Sequence, residues 1–462
     1  MLLGPEGVGV VGVVDQVVLV VMHLSALSLP QSALTFLSRS YGRGPGAFQK
    51  TYVSFLGVIS VLTVASTTCA IGMVAARSSW LGENLLRYQP LLILGLLSVP
   101  AVVMNAFGAS VLAAVQRARQ SALVTASSAA MLFLAAAVGL SVGGLVGLYW
   151  ATLVAGVVVA GAIMRYLHSS LRLPLFNWRT CVSDELRSHP DLLFFCVSYF
   201  LVAAAYPVAW LIARHTVLDQ FGEAEAGRLQ AVVALMVGFG TALRSINSQL
   251  LLPIVSAHGD TVRKFNDTID VQRRLAVTLA LMAIPLVLFP QWFLAILYSN
   301  AFTAASPYVH LFILAELIQI LSGTYLVLML GLGDMRAWAL VYFLGYVCLG
   351  VLSELLGARH GIFGVAVAAV AASLVMFALA LWRLRSWHGF RLPGSLLGLM
   401  VFVVATVLGA GSASARYNGN ATAFLVKTAA LLIVVPALIG CLDKEDRAWI
   451  RRLFVRRWPS SA

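Results

Sequence analysis

Long apolar runs follow one another along almost the whole of this 462-residue chain. A helix needs about 20 predominantly apolar residues to cross the hydrocarbon core of a bilayer. Helices are required there because lipid offers the backbone no hydrogen-bond partner, and the runs are too long and too uniformly apolar for barrel strands. We therefore predict an all-α, polytopic membrane helix bundle with about 13 transmembrane helices. The predicted spans are Val8–Leu29, Tyr52–Ala75, Pro90–Val115, Ser121–Ser141, Gly144–Met164, Leu192–Ala213, Leu229–Val255, Leu275–Tyr298, Tyr308–Leu332, Ala337–Leu356, Ile362–Trp382, Ser395–Ala413 and Thr422–Cys441.

The composition agrees with a membrane protein and excludes an ordinary soluble one. Hydrophobic residues make up 60% of the chain and charged residues 11%, whereas a soluble domain carries about a quarter charged residues. The net charge of +13 would suit nucleic acid, but the basic residues lie in loops between apolar runs, where they report topology. We therefore predict that the chain contacts the lipid bilayer and has no nucleic-acid partner.

The basic residues sort by alternate loops into two unequal sets. One set holds 23 of the 31 Lys and Arg residues and the other holds 6, while Arg244 and Lys427 fall inside spans. Because positive charge collects on the cytoplasmic side of a membrane, we predict a multi-pass protein with a cytoplasmic C-terminus. With an odd number of spans, the N-terminus is then outside.

The same sorting predicts where the longer loops lie. Arg214 falls in the smaller, outer set, close to the longest outer loop at His215–Arg228. The largest inner loops are predicted at Arg165–Pro190 and Ala257–Arg274. No loop on either side is long enough for a soluble domain.

The segment Leu2–Gly9, with the sequence Leu-Leu-Gly-Pro-Glu-Gly-Val-Gly, leads into the first span, and Leu-Pro-Gln-Ser-Ala-Leu-Thr-Phe-Leu-Ser-Arg follows over Leu29–Arg39. This pattern resembles the second helix of the oligosaccharide flippases, the polysaccharide biosynthesis proteins of the multidrug/oligosaccharidyl-lipid/polysaccharide (MOP) superfamily. That family typically has fourteen helices, of which twelve form two lobes and two trail behind them. On this resemblance, the chain lacks the family's first transmembrane helix.

The resemblance implies two pseudo-symmetric lobes plus two trailing helices. The parts are an N-terminal lobe of five helices at 1–166, a cytoplasmic inter-lobe loop at 167–190, a C-terminal lobe of six helices at 191–386, the trailing helices at 387–441 and a cytoplasmic amphipathic tail at 442–462. An internal likeness supports two lobes, because Gly222–Gly227 precedes the span Leu229–Val255 much as Gly4–Gly7 precedes Val8–Leu29. Repeat-built transporters bind their substrates at the repeat interface near the midplane.

Charged residues inside predicted spans are the candidates for a functional site, since at membrane depth they normally face a bundle interior or a water-filled cavity. The predicted substrate-cavity residues share helix faces in pairs: Asp15 with His23, Arg244 with Asn247, and Glu316 with Gln319. Gln16 lies in line with His23 on the first of these helices. Glu354 is near a span end, where it reaches water, and Lys427 is on a trailing helix, where it snorkels to the interface or contacts lipid.

The resemblance also implies what these residues bind. A pyrophosphate-linked glycan is anionic at its head and dense in hydroxyls, so a buried cation such as Arg244 would bind the phosphates, and carboxylates or amides would bind the sugars. Two other interpretations stay open. Arg244 and one carboxylate form a structural pair between helices, or Asp15 or Glu316 binds a coupling proton or sodium ion.

Motifs for catalysis are missing from the sequence. No Walker-type glycine-lysine loop, GxSxG or HExxH pattern occurs in a polar loop. The five cysteines are scattered singly, without the spacing of a zinc site or a disulfide framework. We therefore predict no enzyme activity, no cofactor and no bound metal.

The function that the resemblance implies is a flippase of the bacterial inner membrane. It would move an undecaprenyl-diphosphate-linked oligosaccharide, the repeat unit of O-antigen, capsule or exopolysaccharide, across the membrane by alternating access. Its expected partners are this lipid-linked oligosaccharide, a polysaccharide polymerase and glycosyltransferases. The alternatives are a cation-coupled multidrug or metabolite exporter of the same superfamily, a lipid II flippase of the same architecture, and an O-antigen polymerase or ligase.

Overall fold

The structure is a computed structural model. It describes residues 3–26, 29–76, 87–115, 117–173, 190–246, 251, 255, 260–416, 427, 428 and 436. Over these residues the regular structure is helical and contains no strand, which confirms the all-α prediction. The predicted tail at 442–462 lies outside the described residues.

The helices are α1 (Pro5–Ala26), α2 (Leu29–Arg43), α3 (Pro45–Ala75), α4 (Gln89–Leu97), α5 (Val99–Ala114), α6 (Ala118–Leu171), α7 (Pro190–Phe221), α8 (Glu223–Ile246), α9 (Thr261–Leu288), α10 (Pro290–Leu297), α11 (Ser306–Gly331), α12 (Met335–His388) and α13 (Gly394–Arg416), with a 3₁₀ turn at Asn300–Ala305.

Nine helical stretches among the described residues are long and apolar enough to cross a membrane. Eleven of the thirteen predicted spans overlap these stretches. The other two, Leu229–Val255 and Thr422–Cys441, include residues outside the described part of the chain. The chain is therefore a multi-pass membrane protein, as its hydropathy predicts.

Two helices of 54 residues each, α6 and α12, are broken at glycines. The break in α6 lies at Gly143 and Gly144, where Gly144 has a φ of +58°, and the break in α12 lies at Gly361, with a φ of +56°. Glycine adopts this left-handed region without steric cost. Next to the first break, the backbones of Gly139 and Gly147 are so close that neither position has room for a side chain. Each of the two helices is therefore a hairpin, and the α6 turn separates the predicted spans Ser121–Ser141 and Gly144–Met164.

The predicted inner loop Ala257–Arg274 is wrong, because most of it is helical. Helix α9 begins at Thr261, and the Asp260 carboxylate caps it by accepting a hydrogen bond from the Val262 N–H at 3.0 Å. The helix ends at Leu288, ten residues before the predicted end of this span. A hydropathy window misses the first half of α9 because that half is amphipathic and charged.

The predicted outer loop His215–Arg228 is also wrong. Helix α7 continues to Phe221 and α8 begins at Glu223, so that only Gly222, with a φ of +85°, lies between them. Arg214 is therefore inside a helix, two turns before its end, and not at a loop.

A short amphipathic helix, α2, follows α1 and, apart from its first residue, lies outside every predicted span. Its buried apolar positions are Leu29, Ala33, Phe36 and Leu37, which share one helix face. The apolar-run criterion missed α2 because its other face is polar.

The contacts divide the chain into two compact units, one over Gly9–His215 and the other over residues 3–8 and from Thr216 onward. In the Gly9–His215 unit, α5 packs against α2 and α6, and the rings of Tyr52 and Phe107 stack at 5.7 Å. In the other unit, α11 is largely buried and packs against α8, α9, α12 and α13. This central helix carries Glu316.

Candidate functional site

An ion pair joins α8 to α11 in the unit that runs from Thr216 onward. The Nη2 atom of Arg244 lies 2.6 Å from Oε1 of Glu316. The Glu316 side chain is fully buried, whereas 35% of the Arg244 side chain is exposed. The second carboxylate oxygen, Oε2, accepts no hydrogen bond from any residue that the structure describes. The buried Glu316 carboxylate therefore holds the Arg244 guanidinium in place, and the guanidinium stays partly accessible.

Gly240 makes room for this pair. It lies one helical turn before Arg244 on α8, and the Glu316 carboxylate contacts its backbone directly. A side chain at residue 240 would overlap Glu316 Oε1. The close approach of the two helices at this point therefore depends on a residue without a side chain.

Gln319 and Asn247 are the other two site residues predicted in this unit. Gln319, one turn after Glu316, donates a hydrogen bond from Nε2 to the Tyr346 hydroxyl at 3.0 Å. The predicted Asn247 lies outside the described residues. The structure thus brings Arg244 and Glu316 together, while Gln319 binds a tyrosine of α12.

A second buried arginine organises the Gly9–His215 unit. Arg214 of α7 is 6% exposed, and its Nη1 donates to Gln16 Oε1 at 2.8 Å and to the Trp210 carbonyl at 3.3 Å. Gln16 in turn donates from Nε2 to the Pro207 carbonyl at 2.8 Å. Its side chain therefore bridges α1 to two points on α7, and Arg214 is held by an uncharged amide.

Asp15 is next to this network on α1. Its Oδ1 accepts a hydrogen bond from the Tyr149 hydroxyl at 2.9 Å, and its charge interacts with that of Arg214. Tyr149 is buried, but the Asp15 side chain is exposed even though it lies at the middle of its helix. His23, two turns further along, has no polar partner among the described residues. The structure thus links Asp15 to Tyr149 and Arg214 and leaves His23 apart from them.

Arg214 is the residue that sequence reasoning missed. Its assignment to an outer loop followed from ending the span at Ala213, but the apolar pattern continues through Val217 and Leu218, which are buried. That periodicity was the available signal. Tyr149 gave no signal, since a tyrosine in an apolar span is ordinary.

Glu354 and Lys427 also have partners. Glu354 is exposed, and its Oε2 accepts a hydrogen bond from the Thr216 hydroxyl at 2.5 Å. Lys427 is buried and donates to the Ser414 hydroxyl at 3.3 Å, so it does not project into lipid as predicted.

Among the described residues there is no group of three or more His, Cys, Asp or Glu side chains that could hold a metal ion.

These observations together define a class of protein: a multi-pass, all-α membrane protein with paired charges on its spans and the fold of the MOP-superfamily transporters. The structure is similar to the lipid II flippase MurJ in its inward closed conformation, with a TM-score of 0.67 and 12% identity over 97% of this chain and 98% of the flippase chain. No protein-family model and no curated protein sequence matches the chain.

Two further solved structures share the fold. One is an inward-facing multidrug resistance MATE family transporter of the MOP superfamily, with a TM-score of 0.64 and 15% identity over 84% of this chain and 93% of that one. The other is a MOP superfamily transporter from Pyrococcus furiosus with a binding pocket of reversed polarity, with a TM-score of 0.60 and 14% identity over 83% and 89%. These three solved structures are thus of one flippase and two transporters.

Proposed function

We propose that this chain is a transporter that flips an undecaprenyl-diphosphate-linked oligosaccharide from the inner to the outer leaflet of the bacterial inner membrane by alternating access. The substrate carries two negative phosphate groups beside a hydroxyl-rich glycan. Moving it through the membrane requires a cation at membrane depth and polar groups that bind the sugars. The repeat unit belongs to O-antigen, capsule or exopolysaccharide.

The Arg244–Glu316 geometry is the observation that carries this proposal. Glu316 is completely buried and positions the guanidinium, while about a third of the Arg244 side chain stays exposed. A guanidinium presents several donors in a planar fork that matches phosphate oxygens. Because only the acid is buried, the guanidinium is the half of the pair that a phosphate group can reach.

The fold gives independent support. A lipid II flippase has the same fold over almost the full length of both chains. That protein's name identifies a lipid-linked substrate. The fold is therefore suited to moving the head of a large lipid across a bilayer.

The decisive experiment follows the substrate in cells. With the gene deleted, lipid-linked oligosaccharide is labelled by a reagent that cannot cross the bilayer, on inverted and on right-side-out vesicles. We expect accumulation on the inner face, relieved by restoring the gene. Accumulation of single repeat units on the outer face would instead indicate an O-antigen polymerase or ligase and overturn the proposal.

The chain offers a matched pair of variants for the same assay. Arg244→Ala should fail to relieve the accumulation while the protein is still inserted in the membrane. Arg228→Ala removes the same charge from the same helix, at a partly exposed position that pairs with Glu225 at 2.8 Å. It should restore transport fully, and equal loss in both variants would overturn the role of Arg244.

The second candidate is a cation-coupled exporter of drugs or metabolites. Asp15 favours it, because its exposed carboxylate lies at the middle of α1 and could bind a cationic substrate or a coupling ion. The fold of a multidrug resistance transporter supports it equally. The same cells distinguish the candidates: an exporter mutant accumulates no lipid-linked oligosaccharide but becomes sensitive to toxic organic cations, and Asp15→Asn reproduces that sensitivity.

A further inference from the structure

A groove separates the two legs of the α12 hairpin near the ends of the helix. It has a volume of about 320 Å³ and is lined mainly by apolar side chains from both legs. Leu340 and Leu344 line it on the first leg and Leu379 and Trp382 on the second, with Arg336 and Arg383 at the end away from the turn. From Arg336 to Leu344 the first leg rises about 12 Å, which is the length of a substantial part of an acyl chain.

Arg383 is held in a fixed orientation at the mouth of this groove. Its Nε donates to Asp334 Oδ2 at 2.7 Å, and its guanidinium carbon lies 3.8 Å from the centre of the Trp387 ring. Its two terminal amino groups make no hydrogen bond to any residue that the structure describes. Arg336, Arg383 and the exposed Arg385 outnumber Asp334 at this end of the hairpin, which is therefore basic.

The shape of the groove has a physical cause. Gly345 allows Met376 to pack directly against the backbone of the first leg, which closes the space beyond Leu344. Nearer the helix ends, Trp382 and Trp387 are both exposed, as is typical of aromatic residues at a membrane interface. The groove is therefore closed at membrane depth and open where lipid headgroups lie.

We propose that this groove binds one anionic phospholipid, with its phosphate on Arg336 and Arg383 and an acyl chain between the legs. Basic pockets between transmembrane helices bind anionic headgroups in this way, because lipid supplies both the charge and the chain. The bound lipid would fill an apolar space that the hairpin itself leaves empty. This site is separate from the Arg244–Glu316 pair, and the proposal does not depend on the transported substrate.

Native mass spectrometry tests the proposal on the whole protein in detergent, after its endogenous lipid is removed. Three probes separate the contributions: palmitoyl-oleoyl phosphatidylglycerol, the diacylglycerol with the same chains, and glycerol phosphate. We expect one phosphatidylglycerol to bind at least about ten-fold more tightly than the diacylglycerol, and glycerol phosphate not to compete. Equal binding of the diacylglycerol would reduce the site to an apolar groove, and competition by glycerol phosphate would make it an anion site. Either result overturns the proposal.

Variants assign the binding to this groove. Arg336→Gln should weaken phosphatidylglycerol about five-fold, and Leu344→Trp should weaken it by filling the space for the chain. Neither residue is a member of the Asp334–Arg383 ion pair, and thermal unfolding of each variant in detergent checks that it folds. Arg385→Gln and Leu355→Trp are the controls, since both residues are exposed on the same helix but do not line the groove. If the controls lose as much binding as the test variants, the site is elsewhere.

Discussion

The carboxylate of Glu316 occupies the space that a side chain at Gly240 would fill. Gly240→Ala must therefore displace Glu316 and weaken its ion pair with Arg244. We expect the variant to lower the free energy of unfolding by about 1–3 kcal/mol, although alanine is otherwise the better helix former by about 1 kcal/mol. Thermal unfolding in detergent measures the change. Gly238→Ala, with no atom within 4 Å of the added methyl group, should be neutral or stabilising, and equal losses would contradict the steric explanation.

Only Glu316 of the Arg244–Glu316 ion pair is fully buried. Replacing Arg244 and replacing Glu316 should therefore lower the free energy of unfolding by different amounts. Arg244→Gln leaves the Glu316 carboxylate buried without its partner, and a loss of about 3–5 kcal/mol is typical of such a change. Glu316→Gln should cost less, because the partly exposed Arg244 can be hydrated. The double variant should be more stable than the sum of the single losses implies. If Glu316→Gln proves the more damaging change, the assignment of burial is wrong.

Arg214 should contribute more to the free energy of unfolding than an arginine at the surface does. Arg214→Gln removes the donor to Gln16 and the Trp210 carbonyl inside the protein, so we expect a loss of more than about 2 kcal/mol. Arg228→Gln, which breaks the partly exposed pair with Glu225, should cost less than about 1 kcal/mol. Urea or thermal unfolding of both variants in the same detergent makes the comparison. Similar small losses would place Arg214 in water, as the hydropathy-based assignment had it.

Asp334, between α11 and α12, predicts a dependence of stability on pH. Burial opposes its ionisation, but hydrogen bonds from Arg383 and His388 and the Arg383 charge outweigh burial and hold the pKa of Asp334 below its ordinary value of 3.8. Because the folded pKa is the lower one, the carboxylate stabilises the protein above the unfolded pKa, and this contribution is lost as the pH falls through the folded value. Asp334→Asn should therefore unfold more easily than wild type at about pH 7, and the difference should shrink as the pH falls below 3.8. A difference that does not change with pH would contradict this.

Hydropathy predicted most of the fold because a bilayer leaves few choices for a long apolar run. It located eleven spans, including the two that form the legs of the α6 hairpin. It failed for α2 and for the first half of α9, since an amphipathic helix has a modest average hydropathy however well one face packs. The same limitation put Arg214 into a loop.

The candidate site was predicted less completely, for a different reason. Helical spacing shows which residues share a face, and on that basis the sequence allowed a pair between Arg244 and a carboxylate. It could not choose Glu316 over Asp15, because that choice depends on which helices are neighbours. The role of Gly240 appears only once α8 and α11 are packed together. Whether Arg244 and Asp15 contact substrate stays a prediction.

The α6 hairpin has a consequence for how the protein is made. No charged residue lies between Arg119 and Arg165, and Val142, beside the turn, is 84% exposed and apolar. Nothing at the tip resists passage through a bilayer, so both legs can enter together as a closed pair from one side. The arginines at the two open ends then set the direction of entry. The α12 turn, by contrast, carries Arg359 and His360, so moving this turn across a bilayer has an electrostatic cost that the α6 turn avoids.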